Sequence, residues 1–386
     1  MTAVQVNRKG AGRIAAGHPW IFKTDILHTG GAGRGDVVRV TDQAGRTLGT
    51  GHYSSASQIA LRMLSARVEN VDRAFFRERI AAAARHRQRV VQDATAYRLV
   101  FAEADLLPAL IIDCYGQYLV VQALDQGMDR ALPEIVAALL DVFEPAGILA
   151  RNDAGVRSLE ELPREVRVLH GEIPETVAIQ MNGLTMFADL THGQKTGVFL
   201  DQRENYVAAA QYAGGRALDC FTSTGGFALH MAARCESVEA IDSSETALRT
   251  ARRNADENGI GNVDFREADS FAVLAGHASA RRMFDTVVLD PPAFAKTRGQ
   301  MEGALRGYRE INQRALRILK PGGMLITCSC SQHLGEADFL ELLAEAALDA
   351  RRTVRVIERR MQSRDHPVLL TVPETMYLKC LIVECW

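Results

Sequence analysis

The chain has 386 residues, 47% of them hydrophobic and 24% charged, with a formal charge of −2. That length exceeds one typical core and implies two or three domains, while the near-neutral charge excludes a uniformly basic nucleic-acid coat. There is no stretch of about 18 uncharged apolar residues and no apolar signal core at the start, so neither a membrane span nor an export leader is expected, and the protein is expected in the cytoplasm.

Charge is uneven along the chain: residues 1–70 hold nine Lys or Arg against four Asp or Glu, which leaves the remainder net acidic. In that first stretch, Gly35–Asp42, Gly45–Gly51 and Gln58–Met63 alternate β-prone residues with glycine turns, which reads as a small β domain able to face phosphates. Asp72 then caps a helix running to Gln92. Its arginines at 73, 77, 79, 85, 87 and 89 give it a basic side, from which Arg73 and Arg77 are candidate substrate contacts.

Residues 71–189 combine this linking helix with a small α+β domain, with strands Ala109–Asp113 and Tyr118–Gln122 and a helix Met128–Phe143. From residue 190 to 386 strands alternate with helices: Ala217–Phe221, Val238–Asp242, Val263–Arg266, Thr286–Asp290 and Met324–Cys328. Such alternation specifies an α/β domain with a mostly parallel sheet.

In open α/β sheets, ligands gather at the carboxyl ends of the strands, and four acids close successive strands here. Asp219 precedes the turn Phe221-Thr-Ser-Thr-Gly-Gly226, where Phe221, Thr224, Gly225 and Gly226 let a ligand approach the backbone. Asp242, followed by Ser243, can accept both hydroxyls of a ribose, and Asp269 can receive an adenine amino group. The turn lacks the Gly-x-Gly-x-x-Gly pattern that holds a pyrophosphate, so S-adenosylmethionine fits better than a dinucleotide.

Asp290 closes the fourth strand and opens Asp290-Pro291-Pro292-Ala293-Phe294, a stiff turn that can hold a flat substrate, with Phe294 free to stack on a base. Methylation of an exocyclic amine needs no more than that. The fifth strand adds Cys328 and Cys330, which point to one sheet face if the strand stays regular. A thiolate adding to carbon 6 of cytosine makes carbon 5 nucleophilic, and a buried Asp290 can share a proton with the ring nitrogen. Cys330, nearer the strand's carboxyl end, is the expected nucleophile, with Cys328 as alternate or packing residue. The seven cysteines form no Cys-x-x-Cys pair and no zinc-like spacing, so neither a metal nor a disulfide is expected.

These residues bear a resemblance along nearly the whole chain. Gly17-His-Pro-Trp-Ile-Phe22, Gly35–Val40, Glu103–Asp113, Gly193–Arg203, Asp365–Val368 and Glu374–Lys379 resemble the RlmI-like 23S ribosomal RNA cytosine-C5 methyltransferases. The resemblance implies an amino-terminal PUA domain, a small central domain and a seven-stranded, Rossmann-like class I methyltransferase domain. It adds Lys195 as a substrate contact, and Thr196, Phe199, Asp201 and Arg203 beside the cofactor. The implied partner is 23S ribosomal RNA or a large-subunit precursor, with a homodimer through the central domain left open. Two positions depart from the pattern: Ala109 follows Pro108 where glycine is expected, and Cys328 stands where phenylalanine is common. The rival readings are an exocyclic-amine methyltransferase on RNA or DNA with the cysteines as core, and a non-catalytic ribosome assembly factor.

Overall fold

The computed structural model describes residues 1–191, 193, 198–294, 299 and 301–386. It divides into two compact units, one formed by Met1–Ile179, Ala188–Val198 and Arg364–Thr375, the other by Gln180–Phe187, Phe199–Ser363 and Met376–Trp386.

The first unit begins with β1 (Ala3–Val6), α1 (Arg8–Ala15), β2 (Trp20–Phe22), β3 (Ile26–His28), β4 (Val37–Thr41), β5 (Thr47–Tyr53) and β6 (Ile59–Ser65). The strands make one six-stranded sheet in the order β2-β6-β5-β4-β1-β3. Alternation in β4 buries Val38 and Val40 and exposes Arg39, so one face joins Val4, Val6, Ile21 and Leu61 in a core while the other meets solvent.

Asp72 caps α2 (Arg73–Val90) by accepting from the Ala74 and Phe75 amides, as its position before an apolar-periodic run implies. The arginines of α2 do not form one basic face. Arg87 is fully buried, donates to both oxygens of Asp105 and reaches the carbonyls of Arg98 and Asp365. Arg79 lies over the Phe75 ring and bonds the carbonyls of Leu64 and Leu106. Arg77 is exposed, and Arg73, also exposed, is paired with Asp141.

The second sheet has the order β11-β10-β9-β8-β7, from β7 (Ala96–Phe101), β8 (Leu110–Tyr115), β9 (Tyr118–Ala123), β10 (Gly147–Asn152) and β11 (Glu165–Gly171). The expected single helix Met128–Phe143 is two, α3 (Gln126–Arg130) and α4 (Leu132–Val142). Pro133 stands in the first turn of α4; without an amide proton it cannot continue α3 and instead starts a new helix.

A two-stranded hairpin follows, β12 (Val177–Met181) and β13 (Leu184–Ala188), turning on Asn182 and Gly183 at φ 52° and 83°. The second unit then winds α5 (Arg203–Tyr212), β14 (Gly215–Cys220), α6 (Gly226–Ala232), β15 (Cys235–Asp242), α7 (Glu245–Glu257), β16 (Val263–Glu267), α8 (Ser270–Ser279) and β17 (Phe284–Leu289). It ends with α9 (Met301–Ile318), β18 (Leu319–Ser329), α10 (Glu336–Ala350), β19 (Val354–Arg360) and β20 (Lys379–Cys385). The seven strands order as β16-β15-β14-β17-β18-β20-β19, parallel except for β20, which runs against both neighbours. Strand order reverses at β14, which creates a crevice at the carboxyl ends of β14 and β17, the place where such sheets bind ligands.

Candidate active site

Asp219 lies near the end of β14 and is fully buried. One carboxylate oxygen accepts from the Thr222 hydroxyl at 2.6 Å and the Ala228 amide at 3.0 Å; the other is buried with no hydrogen-bond partner among the described residues. Burial pushes this carboxyl up to about 7, opposed by those two hydrogen bonds and aided by the nearby charges of Asp290 and Asp242. An unpaired buried carboxylate oxygen is costly unless a ligand satisfies it.

The turn after β14 is strained. Phe221 and Ser223 hold φ of 67° and 50°, the left-handed region, and Gly225 holds 89°. Each non-glycine residue there costs about 1–2 kcal/mol, a type of strain that clusters at ligand sites. Gly226 is tightly constrained, since a β-carbon on it would come within 2.4 Å of the Tyr206 ring. Thr224 is half-buried in the same turn.

Asp242 ends β15 and accepts from the Ser223 amide with one oxygen and the Ser244 amide with the other, both at 2.9 Å. Each oxygen keeps a lone pair for a hydroxyl. Ser243 is exposed beside it. Asp269 is exposed and caps α8 through the Ala272 amide at 2.8 Å, with its second oxygen available. Acids at three neighbouring strand ends, a glycine turn and one unsatisfied carboxylate oxygen fit a cationic adenosine derivative: Asp219 for the cationic end, Asp242 for the ribose, Asp269 for the base.

Beyond β17 the chain reaches Asp290, Pro291, Pro292 and Phe294. Register pairs Leu289 with Thr327, so Asp290 lies alongside Cys328. The Gln202 amide donates to Asp290 at 3.0 Å. Pro291 is buried and Pro292 exposed, while the half-buried Phe294 packs 4.6 Å from the Tyr308 ring and 6.1 Å from Phe271.

The two cysteines differ. Cys328 is fully buried opposite Cys380, and burial, then Cys380 and Asp290, push its thiol far up, which makes it a poor nucleophile. Cys330 lies beyond the end of β18, outside the regular strand on which both were expected to alternate, and it alone of the seven cysteines is not buried.

Lys195 and Thr196 lie outside the described residues. Phe199 is half-buried, and Asp201 and Arg203 are interior. The Tyr377 hydroxyl donates to the Asp201 carboxylate at 2.7 Å, and the amide and hydroxyl of Ser363 both donate to the Asp201 carbonyl. Arg203 stands 3.6 Å from Glu204. Gln202, Tyr206, Tyr377 and Lys379 were not singled out from sequence. Gln202 sits inside the Gly193–Arg203 motif and Tyr377 and Lys379 inside Glu374–Lys379, so position was their only signal, and Tyr206 carried none.

Residues 162–383 match the family model of S-adenosylmethionine-dependent methyltransferases, and residues 4–66 that of PUA-like domains. With the sheet order and the acids at its strand ends, this defines the class: an S-adenosylmethionine-dependent methyltransferase that carries a PUA-like domain. In fold it resembles the solved chain SMU.776, designated a methyltransferase and complexed with SAH, at a TM-score of 0.86 and 20% identity over 100% of both chains. Ribosomal RNA large subunit methyltransferase I of Shewanella amazonensis is 41% identical over 96% of each chain. The protein of the same name from Pseudoalteromonas atlantica is 41% identical over 95% of each. The chain belongs to this methyltransferase I family.

Proposed function

We propose that this protein methylates carbon 5 of a cytosine in 23S ribosomal RNA through a covalent adduct with Cys330. The observation that carries the reading is that Cys330, the one cysteine that is not buried, lies just past the end of β18, whose neighbour β17 leads into the Asp290-Pro-Pro turn. The names of the relatives support a large-subunit RNA substrate, and with it a cytoplasmic setting.

The target base is unstacked into the crevice, at a cost of a few kcal/mol that a loop nucleotide lowers. Pro291 and Pro292 fix the backbone against the ring, and Phe294 borders it. Cys330 sulfur bonds to carbon 6, and the displaced π electrons move toward the ring nitrogen, where Asp290, oriented by Gln202, shares a proton. Bound S-adenosylmethionine supplies an electrophilic methyl group. Carbon 5 then loses its proton to a base, the carbon–sulfur bond breaks, and Cys330 is released as thiolate. In this division of labour residues 1–70 grip the RNA, 71–189 link and support, and 190–386 carry out the chemistry. Arg77, Arg73 and Lys195 add phosphate contacts.

Transfer of labelled methyl to naked 23S RNA, assembled large subunits and DNA, followed by nucleoside analysis, tests this. Labelled 5-methylcytidine in RNA is expected. Cys330→Ser is expected to abolish it, and Cys328→Ser to leave most of the rate. Full activity in Cys330→Ser, or label on an exocyclic amine, overturns the cysteine chemistry.

A further inference from the structure

Lys379 is an unusual lysine: only 6% exposed, it stands at the start of β20 opposite Ser329. Lysine is rarely buried without a carboxylate partner, and the hydrogen bonds of this ammonium are to carbonyls. It donates to Ser331 at 2.7 Å and to Tyr377 at 2.8 Å. Ser331 is the residue directly after Cys330, so the first bond pins the turn that carries the thiol.

Two of the ammonium's three donors are taken in this way, and the remaining charge acts on its surroundings. Burial holds Lys379 down to about 8, and the neighbouring Cys330 draws it back up, as an anion beside a cation must. The attraction is mutual, so the same ammonium favours the sulfur's ionised form.

Among the described residues, the other groups near the thiol are neutral or acidic. Tyr308 on α9 bonds Ser331 at 3.0 Å and is held protonated, chiefly by burial. Asp290 at the end of β17 is an acid, and Cys328 and Cys380 are buried thiols. Lys379, at the start of β20, is a described cation that acts on Cys330.

We propose that Lys379 is a positioning residue for Cys330: its ammonium pins the Cys330-Ser331 turn and supplies the positive charge that keeps the sulfur as thiolate. This rests on Cys330 being the nucleophile. Ionisation breaks the S–H bond and releases that proton to solvent, while Lys379 keeps its own. Without the charge, attack on carbon 6 begins from a neutral thiol, which is a far weaker nucleophile.

Alkylation of the full-length protein with iodoacetamide across pH, followed by mass mapping of the Cys330 peptide, reads the thiolate fraction without RNA. The midpoint is insensitive to how accessible the sulfur is. In the unaltered protein it is expected below the value of about 8.5 for a free thiol. In Lys379→Met it is expected to rise by at least one unit, which is about tenfold less thiolate on the acidic side. Lys379→Gln, which keeps a donor for the Ser331 carbonyl, should show the same rise with the turn held. An ordinary midpoint in the unaltered protein overturns the proposal whether or not any variant folds. So does an unchanged midpoint in a folded Lys379→Gln. If Cys330→Ser retains activity, the nucleophile reading fails while the alkylation midpoint still decides the pairing.

Discussion

Replacing Asp219 by asparagine separates the electrostatics of the site from its shape. The change is isosteric: an amide oxygen can still accept from Thr222 and Ala228, but the group no longer ionises. The carboxyl moves from an ordinary 3.8 to about 7 in the folded chain, and each unit is worth about 1.4 kcal/mol, so ionised Asp219 weakens the folded state by about 4 kcal/mol. An unfolded chain loses this proton near 3.8 while the folded one keeps it to about 7. The folded state therefore binds more protons in that window, and stability from this group is complete below it, falls as pH rises through it, and is flat above.

Urea unfolding of the cofactor-free proteins at steps from about pH 4.5 to 8.5 should show Asp219→Asn gaining on the unaltered protein as pH rises, by about 3 kcal/mol over that range, then no further. An unsatisfied amide costs about 1–3 kcal/mol at every pH and shifts the curve without tilting it. A cationic cofactor favours the carboxylate, so its binding below pH 7 should release a proton, countable by calorimetry in two buffers. The variant should bind about 10- to 100-fold more weakly, the loss of one charged hydrogen bond, and release none. Parallel stability curves for the two proteins would refute the reasoning.

Gly226→Ala drives a methyl group into the buried Tyr206 ring; it should cost about 1–3 kcal/mol in unfolding free energy and weaken cofactor binding, and an unchanged melting temperature would count against the close approach. Arg87→Leu leaves Asp105 and two carbonyls without their buried partner, with an expected loss of about 3–5 kcal/mol; a loss under 1 would show that the pair is not a structural linchpin. Ala109→Gly relieves a left-handed residue at φ 65°. Strain relief of about 1–2 kcal/mol exceeds the entropy that glycine costs the folded state, about 0.4–1, so the melting temperature should rise slightly, and a fall would show the strain to be absent.

The departure at Ala109 shows how sequence and structure divide the information. A missing glycine in a motif is visible in the sequence, but that the backbone there adopts a positive φ is visible only in the fold. The same holds for the arginines of α2. Their spacing predicts a helix with its cap at Asp72, and that helix forms, because caps and periodicity are local. Which arginine is a core ion pair and which meets solvent depends on Asp105, Asp365 and Asp141, residues distant in sequence.

At the site, local chemistry wrote the acids at the strand ends, the glycine turn and the Asp-Pro-Pro turn directly into the chain, since strand period and turn residues act over a few positions. Sequence alone thus determined the alternating α/β domain, the cofactor class and the two candidate cysteines. Position along the strand already favoured Cys330, and only tertiary structure set how differently the two are buried. It buried Cys328 against Cys380 of an antiparallel strand that follows it by some fifty residues, and it ended β18 one residue before Cys330. It also brought Gln202 to Asp290 and Lys379 to the Cys330 turn. Hydrogen bonds and charge act over a few ångströms of space, and the pairing of β18 with β20 sets those distances.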